Sequence, residues 1–307
     1  MIKQFKYKNV TWVDLTCPTS EEIQTISKEF NIHPAAAGEL MDSSQRSKVD
    51  IYDDFIYLIL HLPNHSNTLD PVDGHEAQEI DFIIGKDFLV TTTYEAWDSM
   101  QEIGKILETS SLLTKNKKET HAGYLFYYII KHLYQSLEKN LEFINQNLKK
   151  AETKIFTGNE KEMVIVLASL NRKLLDFRGT LKSHQSVLTS LETAGKEFFG
   201  DKFHFYLQSI SSEFGKVWYA LENSREFFSE LRQTNESLLQ IKTNESTKVF
   251  TMLAFITFPL ALFVTTLGLH ADGTPLIDLQ YGFWYISGLI VALILLVLAY
   301  FKHKRWM

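Results

Sequence analysis

The sequence predicts an α+β domain, followed by a stalk of long helices and two C-terminal transmembrane helices. Residues 249–271 and 279–301 are apolar and contain no Asp, Glu, Lys or Arg. Each is long enough as a helix to cross a bilayer core, which needs about 20 residues. The residues before 249 are mixed and charged, with strand patterns first and helical patterns later. We therefore predict an α/β domain over 1–120, a helical stalk over 121–248 and a membrane hairpin with a basic tail over 249–307.

The first part of the chain has the pattern of a mixed domain. Apolar and β-branched runs predict strands over 10–15, 55–62, 79–84 and 88–93. Thr19 or Ser20, followed by acidic residues, is typical of a helix N-terminus. Gly85, Lys86 and Asp87 predict a hairpin turn between the last two strands. The residues 96–108 then have a helical pattern.

From residue 121 onward the apolar positions follow helical spacing. They predict helices over 121–156 and 160–198, with a break at residues 157–159. A third helix starts near residue 201 and contains no proline until Pro259. We therefore expect one helix to run from the stalk through the first span. With some 65 residues it would be about 100 Å long.

The charges beside the two spans predict their orientation. Basic residues flank the hairpin at Lys242, Lys248, Lys302, Lys304 and Arg305. The connecting loop contains Asp272 and Asp278 but neither Lys nor Arg. By the positive-inside rule, both ends of the chain are cytoplasmic and the loop is outside. The lone Cys17 agrees with a cytoplasmic domain, because one cysteine cannot build a disulfide framework.

One face of the first span differs from the rest of that helix. We call it the polar stripe, and it comprises Asn244, Thr247, Thr251, Ala254, Phe258, Ala261, Thr265 and Gly268. The opposite apolar stripe comprises Val249, Met252, Leu253, Ile256, Leu260, Phe263 and Leu267. Small and hydroxyl-bearing residues suit either close packing of membrane helices or a water-filled pore. A pore would need several copies of the chain, because two spans cannot enclose one. In a pore, Phe258 would form a hydrophobic constriction; in a helix-packing interface, it would be an ordinary packing residue.

Several runs of residues around this stripe match a known pattern. They are Lys242-Thr243-Asn244-Glu245, Lys248-Val249, Phe258-Pro259-Leu260, Gly268, and Tyr300-Phe301-Lys302 with Trp306. Together with the run over 46–55 and the order of the domains, they resemble the CorA family of divalent-cation channels. The resemblance implies a funnel-shaped homopentamer whose first span lines the pore and whose second span lies outside it.

The chain departs from the family pattern at the outer end of the first span. Members usually carry Tyr-Gly-Met-Asn, whereas this chain has Leu267, Gly268, Leu269 and His270. In the family the Asn forms a ring that holds a hydrated cation. Neutral imidazole suits Zn²⁺, Ni²⁺ or Co²⁺ better than Mg²⁺, and protonated imidazole repels any cation. We expect an outer mouth formed by Gly268, Leu269, His270, Asp272 and Asp278, with His270 either a metal ligand or a simple interfacial residue.

A second departure concerns regulation. Family members that sense cytosolic Mg²⁺ use acidic residues at subunit interfaces on the long helix. Aligned without gaps from Asn244, these positions fall on Ser209 and Ser212, and Glu213 is the neighbouring carboxylate. Neutral Ser binds Mg²⁺ poorly compared with a carboxylate, so we expect a weak response to cytosolic Mg²⁺.

Another stretch is rich in histidine and acidic residues: His61, His65, Asp70, Asp73, His75, Glu76 and Glu79. Such side chains suit a transition metal. Because they surround a Pro- and Gly-containing segment, we interpret the stretch as a solvated loop.

Together these features predict a homopentameric channel for divalent cations in the inner membrane, with Mg²⁺ as the family default and Co²⁺ as a second ion. The alternatives are a Zn²⁺ or Ni²⁺ transporter with a His ring at its mouth, and a non-conducting CorA-like protein. We see no catalytic motif and expect neither enzyme activity nor a cofactor. The expected partners are the lipid bilayer, the transported metal ions and further copies of the chain. A net charge of −6 argues against nucleic acid.

Overall fold

The computed structural model describes residues 2–7, 9–63, 77–95, 100, 103–104, 121–267 and 281–303. Most of the helix predicted over 96–108 lies outside these residues. The chain forms two compact units, Met1–Asn235 and Glu236–Met307.

The strands of the described residues form one six-stranded sheet in the order β1-β2-β6-β5-β4-β3. They are β1 (Ile2–Tyr7), β2 (Val10–Thr16), β3 (Lys48–Ile51), β4 (Ile56–Leu62), β5 (Gln78–Ile84) and β6 (Phe88–Thr93). β2 pairs with β6 in parallel, and the other neighbours are antiparallel. The four predicted strands are confirmed. Sequence analysis missed β1 and β3, the two edge strands, because their described side chains are exposed or half-buried and they carry little apolar signal.

Two local signals place boundaries as predicted. Helix α1 (Ser20–Glu29) begins after Thr19. The Thr19 hydroxyl accepts a hydrogen bond from the Glu22 amide at 3.3 Å, and the Glu22 carboxylate accepts one from the Thr19 amide at 2.9 Å, which forms a capping box. In the β5–β6 turn, a Cβ added at Gly85 would overlap the Phe88 ring, so any other residue there would require that ring to move.

Different layers cover the two faces of the sheet. Helices α1 and α2 (Pro34–Glu39) pack on one face. Their core includes Ile23, Ala36, Val13, Val90 and Ile83. Helices from the second half of the unit contact β2, β4, β5 and β6 on the other face.

The long helices of the first unit are α3 (Ala122–Phe156), α4 (Glu160–Leu181), α5 (His184–Phe199) and the start of α6 (Asp201–Leu267). In the second unit, α6 continues and α7 (Gly282–His303) follows. The single helix predicted over 160–198 is wrong, because the chain breaks at residues 182–183. His184, the first residue of the helix after the break, is fully buried. Its Nε2 donates to the His61 carbonyl oxygen at 2.8 Å, and its Nδ1 accepts from the Tyr134 hydroxyl at 2.9 Å.

Replacing His184 with Leu is expected to lower the free energy of unfolding by about 2–4 kcal/mol, because two buried polar groups lose their partner. Burial lowers the pKa of His184 to about 4, so the folded protein holds the neutral ring. Its stabilising contribution should be complete above about pH 6.5 and lost as the pH falls towards about 4. Urea unfolding of the full chain in detergent, followed by Trp fluorescence, measures both effects. His204→Leu, at a partly exposed histidine, is the control, and equal losses in the two variants would contradict this role of His184.

Candidate functional site

The candidate site is the polar stripe of α6. Asn244, Thr247, Thr251, Ala261 and Thr265 are exposed within the described chain, and Ala254 is half-buried. Phe258, the largest side chain of the stripe, is 74% exposed. Gly268 lies outside the described residues.

The opposite stripe of α6 is more strongly covered. Met252 is buried, and Ile256, Leu260 and Phe263 are half-buried, while Val249 and Leu253 are exposed. Leu267 ends the helix, and the structure does not describe its side chain. Helix α7 has its own covered stripe at Ile286, Ile290, Ile294, Val297 and Phe301. Both helices belong to the unit Glu236–Met307, and each of them has one stripe that is more covered than the rest of its surface.

The threonine hydroxyls of the stripe present oxygen acceptors. They donate to main-chain carbonyls one turn earlier, from Thr247 to Thr243 at 2.9 Å, from Thr251 to Thr247 at 2.8 Å and from Thr265 to Ala261 at 2.8 Å. Since the hydroxyl hydrogen is used within the helix, the oxygen lone pairs remain for water or a cation. Asn244 is also oriented, because the Gln240 amide donates to its Oδ1 at 3.0 Å.

A proline interrupts α6 beside the aromatic residue of the stripe. Pro259 lies inside the helix and has no N–H for the carbonyl of Phe255. An open groove in this region is lined by Thr247, Phe250, Thr251, Ala254, Phe255, Phe258 and Pro259. The bulkiest group of the polar stripe therefore lies where the helix lacks a hydrogen bond.

The predicted outer mouth lies outside the described residues. This applies to Gly268, Leu269, His270, Asp272 and Asp278, whose roles stay predictions from the sequence. Among the residues that the structure describes, no group of three or more His, Cys, Asp or Glu could hold a metal ion.

The regulatory candidates on α6 have neighbours within the same chain. The Ser209 hydroxyl lies 3.3 Å from the Tyr127 hydroxyl, and Ser212 is exposed. The Glu213 side chain is only 11% exposed and lies 3.0 Å from the Lys216 ammonium. Glu213 is therefore already paired with a cation of its own helix, which makes it a poor site for an added metal ion.

We expect millimolar Mg²⁺ to change the protease resistance of the full chain very little, because Ser209 and Ser212 offer no carboxylate and Glu213 is paired. Limited trypsin digestion in detergent, with and without Mg²⁺, measures this. Glu213→Gln should behave like the unmodified chain, and Glu226→Gln, at an exposed position of the same helix, is the control. Strong protection by Mg²⁺ that disappears only in Glu213→Gln would contradict the prediction.

The structure corrects the interpretation of the His- and acid-rich stretch. His61 and Glu79 are direct cross-strand partners on β4 and β5, not loop residues. Asp81, which sequence analysis did not single out, is fully buried two residues further along β5. The signal was present, because Glu79 and Asp81 alternate with apolar residues in a buried strand. His65, Asp70, Asp73, His75 and Glu76 lie outside the described residues.

Comparison with known proteins gives consistent relatives. The family model described as CorA-like Mg²⁺ transporter protein matches residues 7–303. The cobalt/magnesium transport protein CorA of Thermotoga maritima is 22% identical over 97% of this chain and 83% of the relative. The putative metal ion transporter YfjQ of Bacillus subtilis is 24% identical over 96% of this chain and 89% of the relative.

Two solved structures have a similar fold. The CorA magnesium transporter from Methanocaldococcus jannaschii matches with a TM-score of 0.83 and 20% identity, over 99% of this chain and 93% of that one. The full-length CmaX protein matches with a TM-score of 0.71 and 18% identity, over 97% and 89% of the two chains.

The fold, the two apolar helices and the comparisons agree. Helices α6 and α7 each contain a segment long and apolar enough to cross a membrane. The matching family model covers both helices and the α+β domain, and it describes transporters of ions, not enzymes. The predicted family resemblance is therefore confirmed, and this chain belongs to the CorA-like Mg²⁺ transporter family.

Proposed function

We propose that the chain is a homopentameric channel that carries divalent cations across the inner membrane, with both termini in the cytoplasm. The observation that carries this proposal is the polar stripe of α6, whose described residues are exposed except for the half-buried Ala254, while Met252, Ile256, Leu260 and Phe263 of the opposite stripe are covered. Five copies of the stripe around one axis would line a water-filled path. The names of the relatives support Mg²⁺ and Co²⁺ as the transported ions.

The residues of the stripe have distinct roles in this proposal. Asn244, held by Gln240, offers amide oxygens at the inner end of the path. The hydroxyl oxygens of Thr247, Thr251 and Thr265 contact the hydration shell of the ion, which Mg²⁺ gives up reluctantly. Rings of Phe258 form a hydrophobic constriction that closes by dewetting. Ala254, Ala261 and Gly268 keep the path wide.

The domain division predicted from the sequence belongs to the same proposal. The α/β domain over 1–120 and the stalk over 121–248 would form the cytoplasmic part, and residues 249–307 the membrane hairpin. In the stalk, Ser209, Ser212 and Glu213 remain the candidate positions for regulation.

At the outer mouth, His270 would meet the ion together with Leu269, Asp272 and Asp278. This histidine favours one alternative, a Zn²⁺ or Ni²⁺ transporter. A non-conducting protein is the other alternative. The polar stripe argues against a non-conducting protein, because a protein that no longer conducts ions would tolerate Leu at the threonine positions.

Ion flux in proteoliposomes tests the proposed function. With purified full-length protein, we expect uptake of Mg²⁺ and Co²⁺ but not of Cl⁻, and Zn²⁺ uptake would favour the His-ring alternative. A variant with Leu at Thr247, Thr251 and Thr265 should lose the flux, whereas Leu253→Val on the opposite stripe should keep it. Cl⁻ flux, or no cation flux in well-folded protein, would contradict the proposal.

A further inference from the structure

A pair of buried acids lies on the sheet face that α1 and α2 cover. Asp81 is fully buried and the Glu79 side chain is 4% exposed. They are two residues apart on β5, so both point to the same face. Glu79 borders a cavity of about 140 Å³, which is also lined by Ser43 and Ser44 from the loop between α2 and β3. The proposed ion path uses neither acid.

Each carboxyl group has one oxygen that accepts a hydrogen bond and one that accepts none from the described residues. Asp81 Oδ2 accepts hydrogen bonds from the hydroxyls of Tyr57 at 2.8 Å and Tyr94 at 3.0 Å. Glu79 Oε1 accepts one from the Ser44 amide at 2.9 Å. Asp81 Oδ1 and Glu79 Oε2 have no hydrogen-bond partner among the described residues, although the two carboxyl groups lie within hydrogen-bonding reach of each other. Two carboxylates can form such a bond only if one of them carries a proton.

The surroundings of the pair are mostly acidic. The other titratable or charged groups around it are Tyr57, His61 and Tyr94, then Glu39, Asp42, Lys48 and Glu95. Lys48 already contacts Glu39 at 2.6 Å and Asp50 at 2.7 Å, and His61 Nε2 lies 3.4 Å from Glu79 Oε2. Burial, with the nearby Glu79 charge, raises the pKa of Asp81 to about 8. Burial also raises the pKa of Tyr57 and of Tyr94, so both remain donors.

We propose that Glu79 and Asp81 share one proton at neutral pH, and that loss of this proton releases the loop between α2 and β3 from the sheet. Without the proton, two like charges lie side by side in a buried site, which is unfavourable. Asp81 is fixed by two tyrosine hydroxyls, whereas Glu79 borders the cavity. Glu79 is therefore the group that turns away, and its bond to the Ser44 amide is lost.

The same loop is also held by His61, which connects the switch to the helices. His61 Nε2 lies 2.8 Å from the Ser44 carbonyl oxygen, and Nδ1 lies 3.0 Å from the Ser47 hydroxyl. The main-chain oxygen of His61 accepts the bond from His184 of α5. A change at Glu79 therefore reaches the loop and the helical layer through one neighbouring residue.

The sign of the pH effect follows from the raised pKa. Between about pH 4 and pH 8 the folded protein holds a proton that the unfolded chain has released. This site therefore makes the folded state less stable as the pH rises through that range, and it adds no further change above it. Asp81→Asn keeps the acceptor for the two tyrosines and replaces the proton with an amide hydrogen, so it should remove this part of the pH dependence.

The test uses pH-difference infrared spectroscopy of the full-length protein in detergent, because a carboxylic acid has a C=O band that a carboxylate lacks. We expect a band at neutral pH that disappears with a midpoint near pH 8. Asp81→Asn should lack this band, and Asp54→Asn, at an exposed position, should retain it. Hydrogen exchange adds a second readout on the unmodified chain. Protection of residues 43–47, corrected for intrinsic rates, should fall about tenfold one pH unit above the midpoint.

Each contrary result overturns the proposal. Absence of the band at neutral pH would show that both acids are ionised. A band that persists in Asp81→Asn would place the proton elsewhere. A midpoint that moves on addition of Mg²⁺ or Co²⁺ would show that the pair holds a metal ion instead. If the hydrogen-exchange protection of residues 43–47 does not change across the midpoint, the proton of the acid pair does not control the loop.

Discussion

Cysteine at Thr251 or Thr265 is expected to react with a small hydrophilic thiol reagent at least about tenfold faster than cysteine at Ile256 or Phe263. The reactive species is the thiolate, which forms in water and is suppressed in apolar surroundings. The first two positions are exposed on the polar stripe, and the other two are half-buried on the covered stripe. Modification at Thr251 should also block ion flux, because the added group would fill the path.

The labelling experiment requires a background without the native thiol. Cys17 is exposed, so each cysteine is introduced into a Cys17→Ser background. The Cys17→Ser protein without an added cysteine should not react with the reagent. Reaction rates are measured by mass spectrometry in proteoliposomes. Equal rates on the two stripes would end the assignment of the polar stripe to a pore.

His270→Asn is expected to remove a pH dependence of ion flux and to shift preference towards Mg²⁺. An imidazole is mostly neutral at about pH 7.5 and mostly protonated at about pH 5.5. Five of them around one axis would titrate as a coupled ring, each proton discouraging the next. Flux through the unmodified channel should therefore fall roughly tenfold between these values, while an amide ring does not titrate.

The measurement is Mg²⁺ and Zn²⁺ flux at both pH values for the two proteins. His303→Asn, at the opposite end of the hairpin, is the control and should keep the pH dependence. If the unmodified protein and His270→Asn share the same pH response and the same ion preference, His270 is a bystander.

The sequence predicted the elements whose signals are local and repeated. Apolar runs predict the buried strands β2, β4, β5 and β6, and Thr19 or Ser20 followed by acidic residues predicts the start of α1. The long helix α6 follows from helical spacing with no proline between its start and Pro259. The polar stripe was found for the same reason, since its period of three to four residues is visible in one dimension.

Features that depend on distant partners could not be predicted. The break before His184 depends on Tyr134 and on the main-chain oxygen of His61, far apart in the chain. Likewise, the hydrogen bonds that Asp81 accepts from Tyr57 and Tyr94 form only in the folded sheet, although the apolar residues that alternate with the acids at 79 and 81 already indicate a buried strand. Glu213 and its partner Lys216 are only three residues apart on one helix, so their pairing is a local feature. The burial of the Glu213 side chain, in contrast, depends on tertiary packing.

Divalent cations are expected to pass through the polar stripe passively, so their flux should depend on the membrane potential. A potential of 100 mV contributes about 2.3 kcal/mol per charge, hence about 4.6 kcal/mol for a divalent ion. In proteoliposomes with a potassium diffusion potential and no pH gradient, Mg²⁺ uptake should be strong when the inside is negative and should reverse when the potential is reversed. Uptake that does not depend on the potential, or that requires a proton gradient, would contradict passive conduction through the stripe.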